Sequence, residues 1–407
     1  MNLKQRIKNL HRLPYYSRKQ VMEDILSQPS WKKFLSIHAK TQKDQHRIEK
    51  KATSILKNMM AEFSPRFLRY AYWVVHWAQK SMFEHLYVRE EEIQQTLACV
   101  TRHPVIFLPT HKSHMDYLLL SYVLFNHNIC PPHIAAGINL SFWPIGSLMK
   151  KSGAFFIRRK LSRDKIYVKI LDLYLSWLVG KQYTQELFIE GGRSRDGAIR
   201  SAFLGIMHLL IEAKPDDQDM YFIPVQINYD EVPDEKSLTQ ERLGKVKKAE
   251  SLMDLLNLKK IFQKKYGNIY MRFGEPIQVG SSSPKEEAKR ISNQTLSFFR
   301  KHHYPVAMGM IGHILCAGPK DRTELNHALM QWSHQLRTYN VFGIDLVQKC
   351  QDKIDLLVKQ KKIWIDSNQM LQISESAQPT FEYYAKGLEE MLNANGVAYK
   401  ISTPKPD

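Results

Sequence analysis

The sequence predicts an α/β protein, with a largely parallel sheet flanked by helices, set between an N-terminal helical domain and a helical C-terminal extension. Four observations lead there. Residues 1–100 keep helical spacing with Lys-rich turns and few strand-like runs. From Pro104 the texture changes to short apolar, β-branched or aromatic runs: VIFLP at 105–109, AFFI at 154–157, ELFIE at 186–190, YFIPVQI at 221–227 and NIYMRF at 268–273. Amphipathic segments of helix length lie between them, beginning near Asp116, Leu140, Asp164, Ala202, Leu238 and Lys285, and this alternation of β with α calls for a parallel sheet. After Tyr304 the chain reads mostly helical again, so the expected division is 1–100, 101–304 and 305–407.

Composition narrows the function. With 407 residues, 43% of them apolar, the chain has enough material for a large core, which excludes disorder as a description of the whole. Its 59 Lys and Arg against 40 Asp and Glu give a formal charge of +19, which draws it toward phosphate-bearing partners: nucleic acid, anionic lipid or acidic metabolites. Cys99, Cys130, Cys316 and Cys350 lie far apart with no CxxC pair, so neither a zinc cluster nor a disulfide framework is expected. The first twenty residues hold basic side chains but no continuous apolar run, unlike a secretory signal, and no stretch has the apolar length of a bilayer span. Phe67 to Val88 mixes Tyr70, Tyr72, Trp73 and Trp77 with Arg69 and Lys80; such a segment suits either an aromatic-rich core helix or a helix lying in a lipid interface.

The chemistry concentrates in PVIFLPTHKSHMDYLLLSYVLF, where a buried type of strand runs into His111 and Asp116 opens an apolar helix. On one continuous helix, residues five apart point roughly 140° from each other and do not meet. With His111 on the strand-to-helix loop and Asp116 in the first helical turn, the carboxylate reaches back to Nδ1 and leaves Nε2 basic at the carboxyl end of the sheet, where α/β folds present ligand crevices. A base placed there takes a proton from an alcohol. The competing reading makes Asp116 a helix cap and His111 one of 16 histidines. Metal is not expected, because the spacing HxxHxD lacks the further histidine of a metallo-hydrolase pattern.

Three later segments supply anion-binding groups. KKSGAFFIRRK sets Arg158 and Arg159 directly after a strand, and strand alternation directs them to opposite faces, so at most one is a direct ligand. In QELFIEGGRSRDG a strand ends in Glu190, Gly191 and Gly192 and is followed by Arg193 and Arg195; paired glycines let backbone amides approach an anion, and Glu190 can hold a hydroxyl or orient an arginine. YFIPVQINYDEV has Pro224 inside a strand-like run, which implies an edge, a bulge or a bent pocket wall.

Together and in this order, HKSHMD, GAFFIRR, FIEGGRSR and FIPVQINYD resemble the glycerol-3-phosphate and dihydroxyacetone-phosphate acyltransferases, the HxxxxD family. PPHIAAGINLSFWPIG and MRFGEPI look most like the bacterial membrane-associated glycerol-3-phosphate enzymes, with the close resemblance spanning about residues 100–280. It implies His111 as general base, Asp116 as its orienter, and Arg159, Glu190, Gly191 and Pro224 in the acceptor site, with Arg158, Arg193 and Arg195 as further phosphate ligands. It implies acyl-CoA or acyl carrier protein as co-substrate, no bound cofactor, and glycerol 3-phosphate as acceptor; the charge, the aromatic segment and a product that partitions into lipid add an anionic membrane surface as partner and a peripheral place on the cytoplasmic face of a membrane, expected to be a bacterial inner membrane. Direct attack by the acceptor hydroxyl fits the lack of a G-x-S-x-G nucleophile elbow.

Lys112 departs from the family pattern, which commonly has Arg there, and the chain is shorter than the long bacterial members. Dihydroxyacetone phosphate stays open as acceptor, although the ending PKPD is unlike a peroxisomal address. A thioester hydrolase would leave the arginine-rich blocks without a purpose. A basic binding module is disfavoured because no nucleic-acid motif or continuous basic stripe is visible, so no nucleic-acid partner is expected.

Overall fold

The computed structural model describes residues 3–11, 14, 16–142, 144–158, 164–242 and 264–397. Its centre is a mostly parallel eight-stranded sheet built from β1 (Leu86–Val88), β2 (Val105–Pro109), β3 (His133–Gly137), β4 (Phe155–Ile157), β5 (Gln185–Glu186), β6 (Tyr221–Tyr229), β7 (Ile269–Phe273) and β8 (Ile277–Gln278). The order across it is β1-β7-β6-β2-β5-β3-β4, with β8 pairing on β6. β6 runs antiparallel to β7 and β8, and the other pairs are parallel. The α/β class read from the alternating runs is therefore the class observed.

Every residue of β2 is buried, and its alternation divides the core. Phe107 packs on one face with Leu119, Leu120 and Met310, while Ile106 and Leu108 pack on the other with Ile170, Leu171 and Ile291. Helices from all three expected segments contribute: Gln42–Met59 from the first covers one face, and Ala307–Cys316 and Gln378–Ala394 from the last cover the other. β1, from the first hundred residues, completes an edge of the main sheet.

Local expectations were met unevenly. The run ELFIE yields only two paired residues, because after Leu187 bonds the Phe107 carbonyl the chain turns at Gly191, whose φ of +65° is a left-handed value. The helix expected near Leu140 divides into a short 3-10 turn, Ile138–Leu140, and a helix that starts after Pro144. The C-terminal region is not wholly helical, since β9 (Ile363–Ile365) and β10 (Leu371–Ile373) form a hairpin there.

Pro224 lies in an interior strand rather than at an edge. Its neighbours on one side are β8, which pairs at Tyr221 and Phe222, and β7, which pairs from Val225 onward. Tyr221 N–H and Val225 C=O both point to the β2 side, so by alternation Pro224 faces the junction between β8 and β7, where its carbonyl accepts the Gly274 amide at 2.8 Å. The missing N–H therefore falls at a break in the ladder and costs no pairing.

Candidate active site

β2 delivers the chain to the site, and Thr110 fixes its exit. Thr110 N–H donates to Val225 O at 2.9 Å, and its hydroxyl accepts the Ile227 amide at 3.0 Å. His111 follows on the loop. Asp116 opens the helix Asp116–Asn126 and reaches back over the bend: its Oδ2 accepts the Lys112 and Ser113 amides at 2.7 and 2.8 Å and lies 3.2 Å from His111 Nδ1. Tyr229, at the end of β6, donates its hydroxyl to Oδ1 at 2.5 Å. Asp116 is wholly buried and its amide and hydroxyl neighbours all donate to it, so it acts as an acceptor and Nδ1 holds the imidazole proton. Nε2 has no hydrogen-bond partner among the described residues. Burial lowers the His111 pKa, Asp116 opposes that shift, and His114 and Arg193 add to it; the ring is thus kept neutral, the form that can take a proton.

Glu190 locks the loop from the β5 side. One carboxylate oxygen accepts the His111 amide at 2.9 Å and the other accepts the Arg200 amide at 3.0 Å. Burial pushes this carboxyl up to about 7, against the pull of those two amides and of Lys112. Phe188, on the same connection, lays its ring against His111 with centroids 4.1 Å apart. Gly191 turns the chain, and a side chain at that position would meet the Phe203 ring at 2.5 Å. Ser194 N–H donates to the His111 carbonyl at 2.9 Å, which ties the arginine loop to the base.

Among the described arginines that the motifs contain, Arg193 is the one held beside His111. Its guanidinium bonds Asp234 Oδ2 at 3.1 Å, and the same oxygen accepts the His114 amide at 2.8 Å, so Asp234 joins the arginine to the His111 loop. Arg195 points outward, paired with Glu241 at 3.2 Å. Arg158 stands on the far strand of the parallel run, stacked on Tyr167 at 4.3 Å and 3.7 Å from Asp164. Arg159 lies outside the described residues. Pro224 sits one strand from Leu108, buried beneath the site instead of at its mouth. The structure thus gathers His111, Asp116, Glu190, Gly191 and Arg193, and separates Arg158, Arg195 and Pro224 from them.

The C-terminal helix Gln378–Ala394 reaches this centre. Glu390 accepts the Ile199 amide at 2.9 Å, Tyr384 accepts the Val232 amide at 2.7 Å, and a side chain on Gly197, whose φ is +85°, would strike the Tyr383 carbonyl at 1.8 Å. Lys112, whose pKa burial brings down to about 8, points inward with Nζ 3.4 Å from His303 Nδ1. Tyr229, Asp234 and Glu390 were not singled out from sequence. Only Tyr229 left a trace there: it follows Val225 and Ile227 on the alternation that faces helix Asp116–Asn126.

The fold and site bring together a neutral histidine, a buried carboxylate that orients it at the carboxyl end of a parallel strand, and a fixed guanidinium. Residues 85–228 match the family model described as Acyltransferase, and residues 239–305 match that of the glycerol-3-phosphate acyltransferase C-terminal region. Both stretches thus resemble acyltransferases, and His111, Asp116, Glu190 and Arg193 all fall within the first. It is 35% identical over 272 residues to a glycerol-3-phosphate acyltransferase of Colwellia psychrerythraea, and 34% identical over 266 residues to one of Pseudoalteromonas translucida. Those alignments cover 66% and 65% of this chain but 33% and 32% of the relatives, so the chain spans about a third of their length. Among solved structures, the 1-acyl-sn-glycerophosphate acyltransferase of Thermotoga maritima aligns over 66% of this chain and 87% of its own at 14% identity and a TM-score of 0.33, too slight a likeness to support more.

Proposed function

We propose that the protein transfers a fatty acyl group from acyl-CoA or acyl carrier protein to the sn-1 hydroxyl of glycerol 3-phosphate, giving lysophosphatidic acid. The observation that carries this reading is the His111–Asp116 pair, 3.2 Å apart across the bend, with Arg193 beside it. His111 Nε2 takes the acceptor's hydroxyl proton as that oxygen attacks the thioester carbonyl. The carbon–sulfur bond then breaks, and the departing thiolate receives the proton back from Nε2. Asp116 steadies the transient imidazolium, and loop amides supply hydrogen bonds to the developing oxyanion. Arg193, already oriented by Asp234, offers its remaining N–H donors to the acceptor's phosphate.

The test supplies labelled acyl-CoA and acylated carrier protein in turn, each with glycerol 3-phosphate or dihydroxyacetone phosphate, and identifies the lipid formed. Labelled lysophosphatidic acid from glycerol 3-phosphate is expected. Release of free fatty acid alone, with or without acceptor, would make the protein a hydrolase and refute the proposal.

The reading includes a peripheral place on the cytoplasmic face of a bacterial inner membrane, where the product partitions. No helix among the described residues is long and apolar enough to cross a membrane. Helix Pro65–Met82 buries Leu68, Val75, Ala78 and Met82, while Tyr70, Trp73, Val74 and Trp77 are 56–65% exposed. Those four positions repeat at helical spacing and form one outward stripe, flanked by exposed Arg66 and Lys80, as suits an interfacial helix on anionic lipid. Flotation with vesicles containing anionic lipid is expected to retain the protein, and Trp73→Ser with Trp77→Ser to release it. Equal flotation of both proteins would remove this helix from the membrane contact.

A further inference from the structure

A second polar region lies on the same edge of the sheet. Phe107 pairs in register with Glu186, Glu186 with Ile134, and Ala135 with Phe155. Phe107 thus lies level with Ile134, one residue before the Ala135–Phe155 pair, so β2 and β4 run out at the same carboxyl edge, where His111 and Arg158 follow them. Since β2, β5, β3 and β4 are successive neighbours, Arg158 stands three strand spacings from the His111 strand, about 14 Å.

There the strand end meets helix Gln42–Met59 around a groove of about 430 Å³, a volume that suits a small ligand. Its apolar floor includes Ile55, Met59, Ile138 and Phe156. Among the described residues, the charged groups lining it are all cationic: Arg47, Lys50, Lys51 and Arg158. Among the described residues two carboxylates answer them, Asp44 at 3.2 Å from Arg47 and Asp164 at 2.9 Å from Lys51 and 3.7 Å from Arg158. Four cations against two carboxylates leave a local excess of positive charge, and Lys50 forms no ion pair among the described residues. A larger groove, of about 990 Å³, instead balances Lys165, Lys169 and Lys214 with Asp172, Glu212 and Asp216.

We propose that the groove between helix Gln42–Met59 and the end of β4 binds the phosphate-bearing end of the acyl-thioester donor, with Arg47, Lys50, Lys51 and Arg158 as its anion ligands. The inference rests on the acyl-transfer reading and assigns a place to the donor's far end. A pantetheine arm has roughly thirteen bonds from sulfur to phosphate, so at the reach of polypeptide backbone, three bonds per 3.5 Å, it extends about 15 Å. With the thioester at His111 and the arm lying along the sheet edge, its phosphate arrives at Arg158. The acceptor, a three-carbon phosphate, is too short to join the two points, so the cations at the base and those in the groove serve different substrates. The mixed lining fits this ligand: guanidinium and ammonium groups take phosphate, and the apolar floor takes the less polar arm or, in coenzyme A, the adenine.

Coenzyme A without an acyl group is the probe for calorimetric titration, because its binding needs no turnover. Arg47→Glu with Lys50→Glu reverses two exposed charges, and matching circular dichroism and melting temperature would verify the fold. The double variant is expected to weaken coenzyme A binding at least tenfold and to raise the donor KM by a similar factor, with the glycerol 3-phosphate KM unchanged. Dephosphorylated coenzyme A should bind the native protein less tightly. If acyl carrier protein is the donor used, the same charge reversal raises its KM, since the phosphopantetheine is shared. Unchanged donor KM and coenzyme A affinity in the variant would overturn the assignment, and so would a variant that loses only vesicle binding, which would make the groove a lipid headgroup site. Native protein that binds coenzyme A through these cations but transfers no acyl group would refute the acyltransferase reading while leaving the binding site standing.

Discussion

The two ends of the β2-β5-β3-β4 stretch of the sheet's carboxyl edge hold their charged groups in opposite ways. Over β2 and β5 the polar groups are buried and held: His111 is 15% exposed and Asp116 not at all, and Asp116, Glu190 and Arg193 each have named partners. Over β4 the cations are open to solvent, with side-chain exposures of 41% for Arg158, 49% for Lys51 and 79% for Arg47. The difference is what the two proposed roles ask of charge. A proton-transfer base works in a dry setting where its orientation and pKa are fixed beforehand, whereas a site that captures a multiply charged soluble ligand must show its cations to water. Substitutions at the sealed end should therefore change turnover and stability, and those at the open end should change affinity and respond to salt.

The largest effect among the groups supporting the base is expected from Asp116→Asn. An amide there presents N–H groups to donors that need an acceptor, so the imidazole loses its orientation, and acyl transfer should fall on the order of 10²- to 10⁴-fold. Steady-state rates at saturating donor and acceptor measure this, and a loss below about threefold would show that the sealed end does not depend on the carboxylate. Gly197→Ala comes next. Positive φ and the nearby Tyr383 carbonyl oppose any side chain, so the variant should lose about 1–3 kcal/mol in urea unfolding and show a raised acceptor KM, because loop 193–200 must shift. Native stability and kinetics together would detach the C-terminal helix from the site.

Glu190→Gln sharpens the contrast through pH. The folded-state pKa of about 7 lies above the ordinary carboxyl value, so the folded chain binds the proton more tightly than the unfolded chain does. Stability from this group is fully present below about pH 4.5 and is lost as pH rises through about 7. The glutamine variant should accordingly show a smaller fall in melting temperature between pH 5 and pH 8 than the native protein, and equal falls would place Glu190 in contact with water. The smallest effect belongs to Glu390→Gln, which keeps an acceptor for Ile199 but removes the charge; a two- to threefold rise in acceptor KM is expected, with the donor KM unmoved. A change in the donor KM instead would couple the two ends.

The legible parts of this site were those decided by near neighbours. The His111–Asp116 pair spans five residues, and the strand-to-helix bend alone settles whether the two meet. Glu190, Gly191 and Arg193 follow a strand whose apolar run placed them at its carboxyl end. Arg158 and Arg195 carry the same residue type in equally basic surroundings, yet their directions depend on the chain's path after each strand or turn, which spacing does not encode. Tyr229, Asp234 and Glu390 act across 113, 120 and 191 residues of chain, so nothing local marks them. The same limit holds for the fold. Apolar runs gave β2, β6 and β7, whereas β1, β9 and β10 have three residues each and β3, though as long as β2, reads HIAAG without such a run, so their partners define them.

The claim on which the rest depends is that His111 removes the acceptor's proton. Its direct test measures acyl transfer to glycerol 3-phosphate by purified His111→Ala together with calorimetric binding of coenzyme A to the same protein. The account predicts a rate lower by on the order of 10²- to 10⁴-fold with coenzyme A affinity unchanged. A variant that binds coenzyme A normally and still turns over within about twofold of the native rate would contradict it.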